Sequence, residues 1–444
     1  MKVQKPRILL IGPTALDFYG QPIKQRRLHL PGLTLPMLAA VTPDTVELRI
    51  LSEQVEDVPF DEHWDLVGLT GMGSGIVRAW QIADEFRRRK VKVVIGGIAA
   101  SLMDEELILQ HADCLVTGEA EETWPEVIDD FLNGRLKRRY KMKRVPDINT
   151  LPLPRYDLMK KAKLGFWRPV QATRGCPFTC NFCSITNFFE QTYRKRPVDQ
   201  VIRDVRAAKA AGTRYIAFID DNIGVDWNYC QKLWEALIPE NIIWMSQCSL
   251  HIADRPDMLE LARRSGCRLL SFGIESVNPE SLVLIDKEWN RPERYEAAIK
   301  TIRKYGIEIS TEMIIGMDSD DKTVFQKTYD FLIDNRISVP RIHIITPIPG
   351  TPLFNEMEAN GRIISRDYNK YSGGQVVFNP KQMTAEELQS GYWTLYRELF
   401  TLKGIKRRAG HNLAQLNPLM RVFIMGVNFH YRNHIKRKIT PGIV

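Results

Sequence analysis

Cysteine is scarce and unevenly placed. Of seven in 444 residues, three crowd between positions 176 and 183, and Cys114, Cys230, Cys248 and Cys267 lie scattered. That pattern excludes a secreted disulfide framework. No stretch reaches the roughly 18 uninterrupted apolar residues of a membrane span. The N-terminus, Met-Lys-Val-Gln-Lys-Pro-Arg, runs into the apolar strand Ile8–Gly12 without the apolar region of a signal peptide, which predicts a cytoplasmic location. There is no low-complexity tract and no repeat beyond alternating strand and helix patterns. Hydrophobic residues at 44% and charged residues at 26% describe an ordinary globular chain, long enough for two or three domains at about 150 residues each.

What is present is a CxxxCxxC array, Cys176-Pro-Phe-Thr-Cys180-Asn-Phe-Cys183, preceded by Arg174-Gly175. Three thiolates on one short loop suit three irons of a [4Fe–4S] cube and leave the fourth iron open to a small ligand. An open metal position is the mark of a chemical site. The alternative is a zinc knuckle or a cluster of buried thiols. A closed zinc site needs a fourth ligand at short spacing, and the nearest histidines, His111 and His251, are far along the chain.

Periodicity predicts an α/β protein. Strands are expected at Ile8–Gly12, Val46–Leu51, Leu66–Thr70, Val91–Gly96 and Cys114–Thr117, with helices at Leu35–Val41, Ile76–Arg89, Asp104–Gln110 and Glu122–Leu132, a doubly wound parallel domain over 1–140. Glycines gather where its strands end, and ligands bind at that edge of open α/β sheets; tight turns need glycine as well. A proline-rich linker covers 141–160. Further strands at Pro169–Thr173, Tyr215–Ile219, Ile242–Cys248, Leu269–Gly273, Glu308–Ile315 and Arg341–Thr346 predict a partial (β/α)6 barrel over 161–352, its site at the C-terminal strand ends. The cysteine loop follows the first of these strands. Residues 353–444 are expected to form a helical, basic extension; in its helix Ala385–Leu402 the stripe Tyr392, Trp393, Tyr396 and Phe400 reads as core.

The array, with Phe182 before its last cysteine, resembles the signature of the radical S-adenosylmethionine (SAM) superfamily. The resemblance implies Cys176, Cys180 and Cys183 as ligands of a [4Fe–4S] cluster whose open iron chelates SAM, and reductive cleavage to a 5′-deoxyadenosyl radical. It places SAM against Phe182, Asp220, Asp221, Asn222, Glu275 and Ser276. Asp220-Asp-Asn222 stands where the superfamily binds the SAM amino group; Asp221 or Asn222 would serve equally as a helix N-cap. Gln247, Ser249 and Glu312 face the cavity or make buried structural hydrogen bonds, and Arg174 pairs with a cofactor or docks its loop.

The front domain, with Asp65-Leu-Val-Gly-Leu-Thr-Gly71, Val94-Ile-Gly-Gly97, Gly118-Glu119, Leu151-Pro-Leu-Pro-Arg-Tyr156 and Pro349-Gly-Thr-Pro352, resembles the cobalamin-binding subgroup of that superfamily. This implies cobalamin against Thr70, Gly71, Met72, Ser74, Gly96, Gly97, Gly118 and Glu119. The loop that carries a cobalt-ligating histidine in methionine-synthase-type domains reads Ala15-Leu-Asp-Phe-Tyr-Gly20 here and has none. The implied reaction is C-methylation of an unactivated carbon of a lipid, tetrapyrrole or natural product. Cyclisation or rearrangement without methyl transfer is the alternative within the superfamily, and a cobalamin-binding sensor or carrier the alternative outside it. The implied partners are a small-molecule substrate and an external electron donor such as flavodoxin or ferredoxin, with no nucleic acid. Only Cys114 precedes the array and none follows Cys267, so one cluster is expected. Basic residues around Leu419–Phe429 suggest contact with an anionic membrane or a solvated docking helix.

Overall fold

The computed structural model describes residues 5–415 and 418–442. Contacts divide the chain into two compact units: one holds residues up to Val170 together with Asp199–Thr213, and the other holds Gln171–Val198 and the chain from Arg214 onward.

The first unit follows the order β1 (Arg7–Gly12), α1 (Thr34–Val41), β2 (Glu47–Ser52), β3 (Leu66–Thr70), α2 (Gly75–Arg88), β4 (Lys92–Gly96), α3 (Ile98–Leu102), α4 (Glu105–His111), β5 (Cys114–Thr117), α5 (Thr123–Leu132) and β6 (Arg139–Lys141). Its strands pair in parallel in the order β2-β1-β3-β4-β5-β6. Ile8 to Ile11 are all buried, the continuous apolar run of a strand covered on both faces. The strand order reverses between β1 and β3, and such a switch point opens a crevice at the carboxyl ends of the two strands. Two elements escape the sequence pattern. In β6 only Tyr140 is buried, its hydroxyl donating to Asp130 at 2.9 Å, and α3 is a single turn behind Gly97.

The second sheet has the order β14-β13-β12-β11-β10-β7. Its elements run β7 (Trp167–Val170), β8 (Thr173–Arg174), α6 (Ser184–Phe188), β9 (Arg194–Lys195), α7 (Val198–Ala210), β10 (Tyr215–Phe218), α8 (Trp227–Leu237), β11 (Ile243–Gln247), α9 (Pro256–Arg264), β12 (Cys267–Glu275), α10 (Pro279–Leu284), α11 (Pro292–Lys304), β13 (Glu308–Ile315), α12 (Thr323–Asp334) and β14 (Val339–Ile344). This is the expected partial barrel, β14 and β7 forming its free edges. The expected strand Pro169–Thr173 is broken in two. Ala172 and Thr173 donate their amides to the Asp220 carboxylate instead of a strand neighbour, and β8 pairs with β9 in a short antiparallel ribbon that closes the cysteine loop at its base.

After β14 come α13 (Pro352–Ala359), α14 (Ala385–Leu399), α15 (Leu402–Gln415) and α16 (Pro418–Lys436), with α14 and α15 packed on α12 and α16 on β14. The helix expected to run to Leu402 stops at Leu399, because the Thr401 hydroxyl accepts from the Gly404 amide at 2.9 Å and starts a new helix. A side chain at Gly404 would meet the Leu399 carbonyl at 2.5 Å, so the junction needs glycine. Tyr392, Tyr396 and Phe400 are buried core. The apolar run Leu419–Phe429 falls within α16, whose described residues Met420 and Ile424 are buried.

Candidate active site

Asp220, just past β10, is buried and accepts from the Ala172 amide at 3.2 Å, the Thr173 amide, and the Thr173 hydroxyl at 2.6 Å. Asp221 accepts from the Gly175 amide at 3.0 Å. The two carboxylates hold the entry to the cysteine loop, where Gly175 has φ +84° and a side chain would strike the Thr192 carbonyl at 2.2 Å. Burial pushes Asp220 up to about 7, against its hydrogen bonds from Thr173 and Ala172, and pushes Asp221 up to about 6, against Gly175 and Arg174. Asn222 accepts from the Gly224 and Ser249 amides, both at 3.2 Å, and caps no helix. All three side chains are engaged by backbone, those of Asp220 and Asp221 by the segment that leads into the cysteines.

The loop is braced at its far side as well. The Leu353 amide donates to the Asn181 carbonyl at 3.2 Å, and the Asn181 side chain donates to the Leu284 carbonyl at 2.8 Å. Pro349-Gly-Thr-Pro352, a motif without a role on sequence grounds, thus caps α13 through Thr351 and sets that brace. Phe178, between the first two cysteines, stacks on Trp289 with ring centroids 4.3 Å apart.

Cys180 is buried, while Cys176, Cys183 and Phe182 are half-buried. Burial raises the Cys176 thiol and pushes Cys180 up to about 12; Cys183 adds to both rises, and the Lys287 ammonium opposes them. Among the described residues no three His, Cys, Asp or Glu side chains converge as ligands of a single ion do. Three thiols on one short loop suit a cube, whose irons each take one thiolate.

Glu275 ends β12 beside a register shift and adopts φ +60°, rare for a residue with a side chain. Its carboxylate accepts from the buried Lys287 ammonium at 2.6 Å. Burial alone lowers the Lys287 pKa, but the charges of Glu275, Cys180 and Cys183 outweigh it and the net shift is upward. A side chain at Gly273 would lie 2.4 Å from the Glu275 carboxylate and 2.7 Å from the Lys287 nitrogen, so the ion pair lies across that glycine. Ser276 accepts from the Asn278 amide at 3.0 Å. Lys287 is missing from the sequence reading: a lysine in Ile285-Asp-Lys-Glu288 looks like any solvated one. Glu312 is half-buried beside the buried Arg341 and within 3.3 Å of His343, and Arg341 donates to Ser271 at 2.7 Å.

In the first unit, the loops after β3 and β4 interlock beside the switch point. The Gly71 amide donates to the Gly96 carbonyl at 2.8 Å and the Ala99 amide to the Gly71 carbonyl at 3.1 Å. Gly97 has φ +99°, and a side chain there would meet the Gly71 carbonyl and the Thr70 hydroxyl at 2.8 Å. Gly118 joins through the Ser101 hydroxyl at 3.0 Å. Ser74 and Glu119 are buried and Met72 is exposed. The result is a rim of backbone with little side-chain cover, suited to a large flat ligand. Alongside it, Asp17 folds Phe18–Gln21 into a turn by accepting from the Tyr19 and Gln21 amides.

The sequence pattern of the radical SAM superfamily matches residues 170–332. The chain belongs to that superfamily and is an enzyme. It is 32% identical, over 92% of its length and 89% of the relative's, to the bacteriochlorophyllide d C-12(1)-methyltransferase of Chlorobaculum tepidum. It is 30% identical, over 87% of its length and 89% of the relative's, to the bacteriochlorophyllide d C-8(2)-methyltransferase of the same organism. It shares its two-unit fold with the radical S-adenosylmethionine methyltransferase TsrM of Kitasatospora setae, solved with cobalamin and a [4Fe–4S] cluster. The TM-score is 0.63 at 16% identity, covering 98% of this chain and 99% of that one.

Proposed function

We propose that this enzyme methylates an unactivated carbon on the periphery of a chlorin-type tetrapyrrole. The observation that carries this reading is the alignment, through both units, with a methyltransferase acting on bacteriochlorophyllide. Cys176, Cys180 and Cys183 would hold the [4Fe–4S] cluster; Phe182, Asp221, Glu275 and Ser276 would surround SAM; and the rim Thr70–Met72, Ser74, Gly96-Gly97 and Gly118-Glu119 would receive cobalamin. When bound, these groups supply a 5′-deoxyadenosyl radical and a transferable methyl group.

The chain's own residues orient and protect. Asp220 ties the end of β10 to the entry of the cysteine loop, and Asn222 ties the turn after β10 to the end of β11, which makes them positioning residues. Lys287 sets a buried positive charge beside the thiolates and favours their ionised form. Glu275 neutralises that lysine and keeps it from solvent. An external one-electron donor such as flavodoxin or ferredoxin completes the system.

The test is anaerobic reconstitution followed by incubation with SAM, a reductant and bacteriochlorophyllide d. The expected products are 5′-deoxyadenosine and a pigment heavier by one CH2. Formation of 5′-deoxyadenosine with no added carbon on any chlorin would overturn the methyl-transfer reading, and no SAM cleavage by a cluster-loaded enzyme would overturn the cofactor assignment.

A further inference from the structure

Beyond Glu398 the chain carries nine lysines and arginines and no aspartate or glutamate. Those nine equal the net charge of the whole chain, +9, so residues 1–398 are neutral. One of the nine, Arg408, is buried and Arg432 is half-buried; Lys403, Lys406, Arg407, Arg421, Lys436, Arg437 and Lys438 are exposed. The excess charge is therefore concentrated on the outer side of α15 and α16, which pack on each other, and on the turn that follows α16.

On α16 the buried residues Met420, Ile424, Tyr431 and Ile435 make one stripe. Val422 and Phe429, two turns apart, make another and remain 66% and 44% exposed. Half-buried Met425 lies between them and Lys436 continues the stripe. Leu402, at the start of α15, is 59% exposed beside Lys403. Exposed apolar side chains are common singly, but here three stand among cations with no acidic residue in the segment. A purely solvated face gains nothing from Phe429, and phosphate recognition by nucleic acid binders gains nothing from Val422. Apolar side chains inside a basic helical face suit the boundary between anionic headgroups and acyl chains. No helix among the described residues is long and apolar enough to cross a membrane.

We infer that α15 and α16 form a docking surface for an anionic lipid bilayer, with Val422, Phe429 and Leu402 entering the headgroup boundary and the surrounding lysines and arginines meeting lipid phosphates. The surface would bring the enzyme to the place where an apolar pigment substrate resides.

Flotation of the full chain with vesicles tests this without cluster, cobalamin or substrate, so its outcome is independent of the methyl-transfer reading. Vesicles of phosphatidylcholine with phosphatidylglycerol are expected to carry the protein up the gradient, and pure phosphatidylcholine vesicles are not. Each basic side chain near an anionic leaflet is worth about five-fold in partitioning, so a Lys403→Glu, Lys406→Glu, Lys436→Glu variant is expected to bind at least on the order of 100-fold more weakly. A Val422→Ser, Phe429→Ser variant is expected to bind only at low salt, having lost its apolar anchors. All five positions are exposed, and unchanged melting checks that the variants fold. Full binding by the charge-reversed variant overturns the inference, as does equal binding to neutral vesicles or retention by DNA or an acidic protein but by no vesicle.

Discussion

Lys287 is the residue on which the second unit's electrostatics turn. It is buried, it neutralises Glu275, and it faces thiols that burial alone would keep protonated. Lys287→Met leaves Glu275 buried without a partner, and breaking such a pair costs about 3–5 kcal/mol. The expected outcome is a lower melting temperature together with less iron per chain after reconstitution. Adding Glu275→Gln should restore the melting temperature and leave the iron deficit, which separates folding from cluster loading. Asp220 offers a pH test. Its carboxyl titrates near 7 in the folded chain against 3.8 unfolded, so the native state holds the extra proton between those values. Stability from this group is greatest below 3.8 and falls as pH rises to about 7. Melting of wild type and Asp220→Asn across that window should shift in the variant's favour as pH rises. A constant difference would mean that Asp220 stays ionised throughout. None of this was legible in the sequence: Asp220-Asp-Asn222 could be placed at a strand end by pattern, but the amides of Ala172, Thr173 and Gly175 that occupy two of its carboxylates arrive from far along the chain.

Individual elements divide into those the sequence specified and those set by neighbours. Apolar runs such as Ile8–Ile11 read as strands because they are short and a sheet covered on both faces accommodates them, and Leu66–Thr70, Cys114–Thr117 and Glu308–Ile315 stand as expected. The division of Pro169–Thr173 and the stop at Leu399 depended on partners, Asp220 in one case and Thr401 in the other. The junction of α14 and α15 is held by Arg408, which is fully buried and has carbonyl partners on several sides: Ile337 at 3.0 Å, Ser338 at 3.1 Å and Leu399, with the Asn428 side chain at 2.9 Å. It also lies over the Phe400 ring at 4.7 Å. Arg408→Ala leaves those carbonyls unsatisfied and a cavity behind, and should cost about 3–5 kcal/mol in denaturant unfolding. At the other sheet, Gly97→Ala forces a side chain onto the Gly71 carbonyl from a left-handed backbone. About 1–3 kcal/mol is expected from the strain, with weaker cobalamin binding by equilibrium dialysis.

At the scale of the whole molecule, two compact units predict two unfolding transitions by calorimetry. Ligands that bind only the native form stabilise as the logarithm of their excess over Kd. Hydroxocobalamin should therefore raise one transition and cluster loading the other; a single transition moved equally by both would contradict that assignment. The family and its cofactors were legible because the array Cys176–Cys183 and the glycine-marked strand ends are local patterns. Charge balance was legible only in part: the sequence located basic residues near the C-terminus, and the fold was needed to separate Arg408, which is spent on carbonyls, from the lysines that face out.

The ribbon of β8 and β9 pairs Thr173 with Lys195 and Arg174 with Arg194, so the two ends of the cysteine loop are already side by side. Closing a flexible loop costs entropy that grows with its length, and here backbone hydrogen bonds meet that cost before any metal arrives. The cysteine segment is thus a socket with a fixed mouth. An enzyme that loses its cluster to oxygen keeps the socket, and repair becomes refilling rather than refolding.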